Sequence, residues 1–159
     1  MEIGFRLGKT KLFNYINAYR FGEKSGIDFL GEAKGIVFKE SKVGPVELAT
    51  SSFGQGNSAT PIQLTNAMSA AINGGQLMKP YVLKTIKNEQ GDIVFENKKT
   101  VKRNVISKET SDIMRYSLEH VSALGTGHNA YVDGYRVGGE TGVFPSCGTN
   151  LYSHTFCAP

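Results

Sequence analysis

A chain of 159 residues, 40% hydrophobic and 20% charged, has room for one core of ordinary size and excludes both a disordered segment and two full domains. Its formal charge of +4 comes from scattered lysines and arginines, and the densest basic run, residues 98–103, has no aromatic interleaved. That pattern argues against a nucleic-acid platform, and the lack of any apolar stretch of about eighteen residues argues against a membrane segment within the chain.

The first amphipathic element is a helix over residues 9–20. Leu12, Phe13, Ile16 and Tyr19 recur there at helical spacing, and Gly22 ends it. Residues 23–44 carry Gly26, Gly31, Gly35 and Gly44 and read as loop, with one short strand at Ile36-Val37-Phe38. Thr60-Pro61-Ile62-Gln63 is the strongest local signal. Thr60 suits an N-cap, Pro61 the first helical position, and Gln63 can reach back to close a capping box. Leu64, Ala67, Met68, Ala71 and Ile72 form the face expected to be buried, and Asn73-Gly74-Gly75 stops the helix.

Strands are expected over residues 81–87 and 93–96, joined by the turn-forming loop 88–92. Ser107 caps a second long helix whose apolar stripe is Ile113, Met114, Leu118 and Val121, and Gly125 ends it. Beyond it, Tyr135-Arg136-Val137 is the best strand candidate. Helices and strands mix without regular alternation, which indicates the α+β class.

Several catalytic signatures are absent from these residues. No serine is followed by lysine three positions on, and there is no G-x-S-x-G elbow, no paired-histidine metal helix and no G-x-x-x-x-G-K-[ST] loop. Gly54-Gln55-Gly56-Asn57-Ser58-Ala59 matches G-x-G-x-x-A, but residues 45–50 make a poor parallel strand and no acidic residue stands at ribose distance. Cys147 and Cys157 fit no common zinc spacing, and a Cys147–His154 dyad is a coincidence of the tail. No metal and no cofactor are therefore expected.

A family resemblance accounts for the remaining pattern. Residues 21–32, Phe21-Gly22-Glu23-Lys24-Ser25-Gly26-Ile27-Asp28-Phe29-Leu30-Gly31-Glu32, resemble the F-G-x-x-T-G-I-D-x-x-G-E segment of class B penicillin-binding proteins. Glu47-Leu48-Ala49 through Gly54-Gln55-Gly56, then Thr60-Pro61-Ile62-Gln63-Leu64, resemble the next block in the same order. Asn73-Gly74-Gly75 with Met78-Lys79-Pro80-Tyr81 follows, and Gly125-Thr126-Gly127 with Gly134-Tyr135-Arg136-Val137-Gly138-Gly139 completes the set. Gly127-His128-Asn129-Ala130 is most similar to sporulation-type members. The resemblance covers the chain to about Gly142.

It implies a partial penicillin-binding transpeptidase fold, related to the serine β-lactamases, in which an antiparallel sheet carries packed helices. It also implies D,D-transpeptidase chemistry on peptidoglycan, in cell-wall cross-linking and, for sporulation-type members, the spore cortex. A peptidoglycan stem peptide or a β-lactam is the implied partner. Family members are membrane-anchored with the catalytic domain outside the cytoplasm, whereas these residues contain neither an anchor nor a signal peptide.

The family's site combines S-x-x-K, S-x-N and a K-T-G strand. The first two lie before the region matched here, so no catalytic residue is assigned. The third aligns with Glu140-Thr141-Gly142, and these are the candidate substrate-binding residues. Glu140 places a negative charge where a lysine is expected to attract the substrate's carboxylate. At an effective dielectric near 20, unit charges about 4 Å apart interact by roughly 4 kcal/mol, so reversing the sign opposes carboxylate binding by up to about 8 kcal/mol before solvent screening.

Residues 143–159 form a divergent tail, with the next sheet strand expected at 151–156 and the fold's final strand and C-terminal helix expected to be absent. Residues 1–159 thus read as a C-terminal fragment of a transpeptidase domain, not catalytic on its own and left with exposed apolar surface that promotes aggregation. Two alternatives stay open: a non-enzymatic module that associates with a chain supplying the missing half, and a piece of an active transpeptidase whose first two motifs lie upstream.

Overall fold

Residues 1–144 and 152–158 are described by the computed structural model. Among them are five α-helices and six strands: α1 (Glu2–Leu7), α2 (Lys9–Ala18), α3 (Pro45–Ser51), α4 (Pro61–Ile72), β1 (Gln76–Met78), β2 (Thr85–Lys87), β3 (Ile93–Glu96), β4 (Val101–Asn104), α5 (Lys108–Leu124), β5 (Gly138–Phe144) and β6 (Tyr152–Ala158). The strands pair antiparallel as β1–β4, β2–β3 and β5–β6. Helices and antiparallel strands together agree with the α+β reading. The chain divides into two compact units, one of residues 1–70 and 76–105 and the other of residues 71–75 and 106–159.

In the first unit the core gathers Phe13, Val43, Ala67, Ala70 and Leu77, with Phe13 and Leu77 each 1% exposed. α2 buries Phe13 and half-buries Leu12, Ile16 and Tyr19, the stripe its spacing implies. It ends sooner than residue 20 because Arg20 takes a positive φ of 62° before Gly22 at 83°. The separate helix α1 has no counterpart in the sequence reading. Its buried Gly4 lies so close to Ser52 that an added Cβ would overlap that side chain.

One other expectation is corrected. Ile36-Val37-Phe38 forms only a single bridge, Ile36 to Ser58, because Asn57 Oδ1 takes the Phe38 N–H (3.1 Å) in place of a ladder partner. Residues 45–51 are helical, with Pro45 at the first position and the Glu47 carboxylate accepting the Gly44 N–H (2.8 Å).

The Thr60–Gln63 capping box is formed as the residue types imply. Thr60 N–H donates to Gln63 Oε1 (2.9 Å), and Gln63 N–H donates to Thr60 Oγ1 (3.3 Å). Gln63 does more than cap. Its Nε2 donates to the carbonyls of Glu23 (2.6 Å) and Lys34 (2.9 Å), and the residue is only 3% exposed. The buried side of α4 is therefore Gln63, Ala67, Ala70 and Ala71, while Leu64 is exposed and Met68 and Ile72 are half-buried. The expected face holds at Ala67 and Ala71 but not at Leu64, and helical apolar spacing missed Gln63 because a fully satisfied amide is as well accommodated inside as a leucine.

Two carboxylates hold the long loop before α3. Glu32 accepts the Ser25 N–H, the Ser25 hydroxyl and the Gly26 N–H (3.1 Å), closing residues 25–32 into a ring. Asp28 accepts the N–H groups of Val82 (2.7 Å) and Leu83 (3.0 Å). The β2–β3 hairpin turns at residues 88–92 as expected, with Asn88 Oδ1 accepting the Asp92 N–H (2.8 Å). Its first strand is shorter than residues 81–87, because the N–H groups of Val82 and Leu83 are committed to Asp28. The basic run ends in β4, all of whose residues are exposed.

Gln63→Ala removes the acceptor of Thr60 N–H and the donors to two carbonyls, so the chain is expected to lose about 2–4 kcal/mol of stability. Urea unfolding followed by circular dichroism measures it, and a midpoint equal to that of the parent would refute the clamp. Burial raises the Glu32 pKa, but the bonds from Ser25 and Gly26 outweigh it and hold the carboxyl below its ordinary value of 4.5. A depressed folded value means the contribution is complete above pH 4.5 and fades as pH falls through that lower value. Glu32→Gln is therefore expected to flatten the loss of stability on acidification below that pH, and parallel acid profiles for the two proteins would contradict it.

Candidate substrate-binding strand

The predicted site residues belong to the second unit, where α5 and β5 pack together. α5 begins where Ser107 Oγ accepts the Thr110 N–H (3.2 Å), the cap expected from sequence. It closes at the Gly-Thr-Gly block: the N–H groups of Gly125 (3.1 Å) and Gly127 (3.0 Å) both reach the Val121 carbonyl. At its other end Ser111 Oγ accepts the Gly74 N–H (2.9 Å). Gly75 sits at φ 90°, where an added Cβ would overlap the Ile106 carbonyl oxygen.

The buried side of α5 is Ser111, Leu118 and Ser122. Ile113 and Met114, expected in the stripe, are exposed. Small residues at the buried positions let the strand come close. Gly138, the first residue of β5, lies where an added Cβ would stand 3.3 Å from Leu118 Cβ and 3.5 Å from the Glu119 nitrogen. Tyr135-Arg136-Val137 is not a strand: Tyr135 closes a turn onto Val132 (3.1 Å), and β5 starts only at Gly138. The exposed Arg136 bonds Glu119 (2.9 Å), and that hydrogen bond raises the pKa of its guanidinium. Lys108 and Arg115 both bond Asp112, at 3.1 and 2.5 Å, and lower its pKa. Ile72, Asp112, Tyr116, Glu119, Arg136 and Gly138 are among the residues that line a cavity of about 480 Å³ beside this face of α5.

Glu140, Thr141 and Gly142 lie in the middle of β5, opposite Phe156, Thr155 and His154 of β6. The sheet strand expected at 151–156 is thus present as β6, close to where sequence places it. Glu140 is exposed and Thr141 half-buried. The Glu140 carboxylate turns back along its own strand: Oε1 accepts both the Thr141 N–H (2.9 Å) and the Thr141 hydroxyl (3.2 Å). Sequence reasoning identified the charge but not this contact, which depends on the rotamer of one exposed side chain. Among the described residues no cluster of metal-ligating side chains occurs, and no helix is long and apolar enough to cross a membrane. Cys147 lies outside the described residues, and Cys157 is in β6 opposite Gly139.

Comparison with known proteins gives a consistent picture. The family pattern of the penicillin binding protein transpeptidase domain matches residues 1–150. Stage V sporulation protein D of Bacillus subtilis is 54% identical over 144 residues, covering 90% of this chain and 22% of that protein. The apo transpeptidase domain of Burkholderia pseudomallei penicillin-binding protein 3 is 29% identical with a TM-score of 0.76, over 95% of this chain and 44% of that one. Penicillin binding protein 3 of Mycobacterium tuberculosis, solved in complex with ampicillin, is 26% identical with a TM-score of 0.78, over 92% of this chain and 34% of that one. The chain thus spans about a fifth of the length of its sporulation relative.

Ser122 Oγ is fully buried in α5 without a hydrogen-bond partner among the described residues. Replacing a buried unsatisfied hydroxyl by hydrogen removes a desolvation cost, so Ser122→Ala is expected to be neutral or to stabilise by up to about 1 kcal/mol. Thermal unfolding checks the sign, and a drop in midpoint would show that the hydroxyl has a partner.

Proposed function

The chain belongs to the penicillin-binding protein transpeptidase family, and from that premise we propose that its 159 residues carry the substrate-recognition strand of a peptidoglycan D,D-transpeptidase domain without carrying its nucleophile. The observation behind this reading is the pairing of a K-T-G-like strand, Glu140-Thr141-Gly142 in β5, with the absence of any S-x-x-K among the 159 residues. In the complete reaction a serine, activated by a nearby base, attacks a peptide carbonyl to form an acyl-enzyme, which an amine then resolves. The part proposed for β5 is the earlier one of orienting the substrate by its terminal carboxylate, with Thr141 as hydrogen-bond donor.

Peptidoglycan is the substrate class named for the Mesostigma viride relative, a peptidoglycan D,D-transpeptidase homologue 34% identical over 110 residues. The likeness to a stage V sporulation protein supports a sporulation setting, and the proposed setting is the cell wall outside the cytoplasm. Phe29, Leu30, Ile36, Val46 and Val82 are large apolar side chains at the surface of the first unit, Leu30 being 96% exposed. Their exposure suits a part of a larger domain, since side chains of this size are ordinarily covered.

Glu140 opposes carboxylate binding on this reading, and the missing nucleophile removes acylation altogether. Incubation with benzylpenicillin followed by intact-mass measurement of the folded chain is expected to show no adduct. A stoichiometric adduct on one serine would sink the proposal and reveal a nucleophile outside the S-x-x-K pattern.

A further inference from the structure

In this chain the donors available for a ligand's carboxylate are already occupied from within. Thr141 presents two, its N–H and its hydroxyl, and both go to a single oxygen, Glu140 Oε1, at 2.9 and 3.2 Å. We propose that Glu140 is an intrinsic competitor: its carboxylate fills the Thr141 donor pair and so excludes carboxylate-terminated ligands by occupation as well as by charge. This rests on the reading of β5 as the recognition strand.

The physical case has three steps. A carboxylate is an acceptor-only group and takes hydrogen bonds from N–H and O–H donors in the same way whether it belongs to a side chain or to a peptide terminus. The side chain of Glu140 is tethered one residue from its donors, so a free ligand competes against an effective concentration on the order of millimolar or above. Glu140 is also exposed, so nothing in the surrounding packing forces its carboxylate onto Thr141, and the two hydrogen bonds account for the orientation. The lysine expected here would act oppositely, leaving the Thr141 donors free while adding a favourable charge.

Occupation and simple repulsion make different forecasts for the amide variant. Glutamine at this position loses the charge but keeps an oxygen able to accept from Thr141. Alanine loses both. The test titrates N-acetyl-D-alanyl-D-alanine into the isotope-labelled full-length chain and follows the Thr141 amide resonance in the parent, Glu140→Ala, Glu140→Gln and Glu140→Lys.

The parent is expected to show no saturable shift at millimolar ligand. Glu140→Ala should bind at least about tenfold more tightly, and Glu140→Gln should fall between the two. Equal gains for the alanine and glutamine variants would overturn the proposal in favour of charge alone. Saturable binding by the parent as tight as that of Glu140→Ala would also overturn it. If Glu140→Lys binds while Glu140→Ala matches the parent, the recognition strand stands and only the occupation idea falls. If no variant binds, the reading of β5 fails and takes this proposal with it.

Discussion

Gln63 is the residue on which the first unit depends most. Its amide group is almost fully buried, and each polar atom of it is used: the oxygen on the Thr60 N–H, the nitrogen on the carbonyls of Glu23 and Lys34. One side chain thereby starts helix α4 and ties down both ends of a loop otherwise made of glycine turns. A buried amide is costly when left unsatisfied and neutral to favourable when complete, so the arrangement tolerates no partial version. At Gly35 an added Cβ would overlap the Ser58 carbonyl oxygen, next to the Ile36–Ser58 bridge, and would stand 3.1 Å from Gln63 Oε1.

The family blocks take on a physical meaning around that clamp. Glu32 and Asp28, two of the three acidic residues of residues 21–32, are both spent on backbone N–H groups, one closing its own loop and the other fixing the chain at Val82 and Leu83. The glycine pair after α4 adopts positive φ at both positions, and the Gly-Thr-Gly block terminates α5 on the Val121 carbonyl. These residues build the scaffold. Glu140-Thr141-Gly142 is the segment proposed to present side chains to a ligand.

On the proposed reading, Glu140 makes that strand electrostatically unlike a K-T-G strand. An exposed carboxylate in place of an ammonium group changes the sign of the local field, and its contacts with Thr141 remove the neutral donors as well. The scaffold beneath is intact: Gly138 still admits α5 at close range, and β6 still pairs along the whole of β5. A preserved framework can therefore coexist with an altered ligand-facing surface, because the two rest on different atoms. Packing of β5 uses small residues and backbone pairing, whereas recognition uses side-chain charge.

For α4 and α5 the sequence by itself determined where the helix starts and stops. Thr60, Gly74, Ser107 and Gly125 act through hydrogen bonds or backbone angles within four residues of themselves, so α4, α5 and the hairpin at 88–92 were readable without a fold. The family was also legible, since it rests on residue identity and order. On α4 and α5 only part of the buried face was legible, and tertiary structure decided the rest. Leu64, Ile113 and Met114 are exposed while Gln63, Ser111 and Ser122 are inside. The reason is that Gln63 meets a carbonyl 40 positions away and Ser111 an amide 37 positions away. Partners at that separation satisfy a polar side chain only after the chain has folded, and no pattern of apolar spacing along a helix can register them.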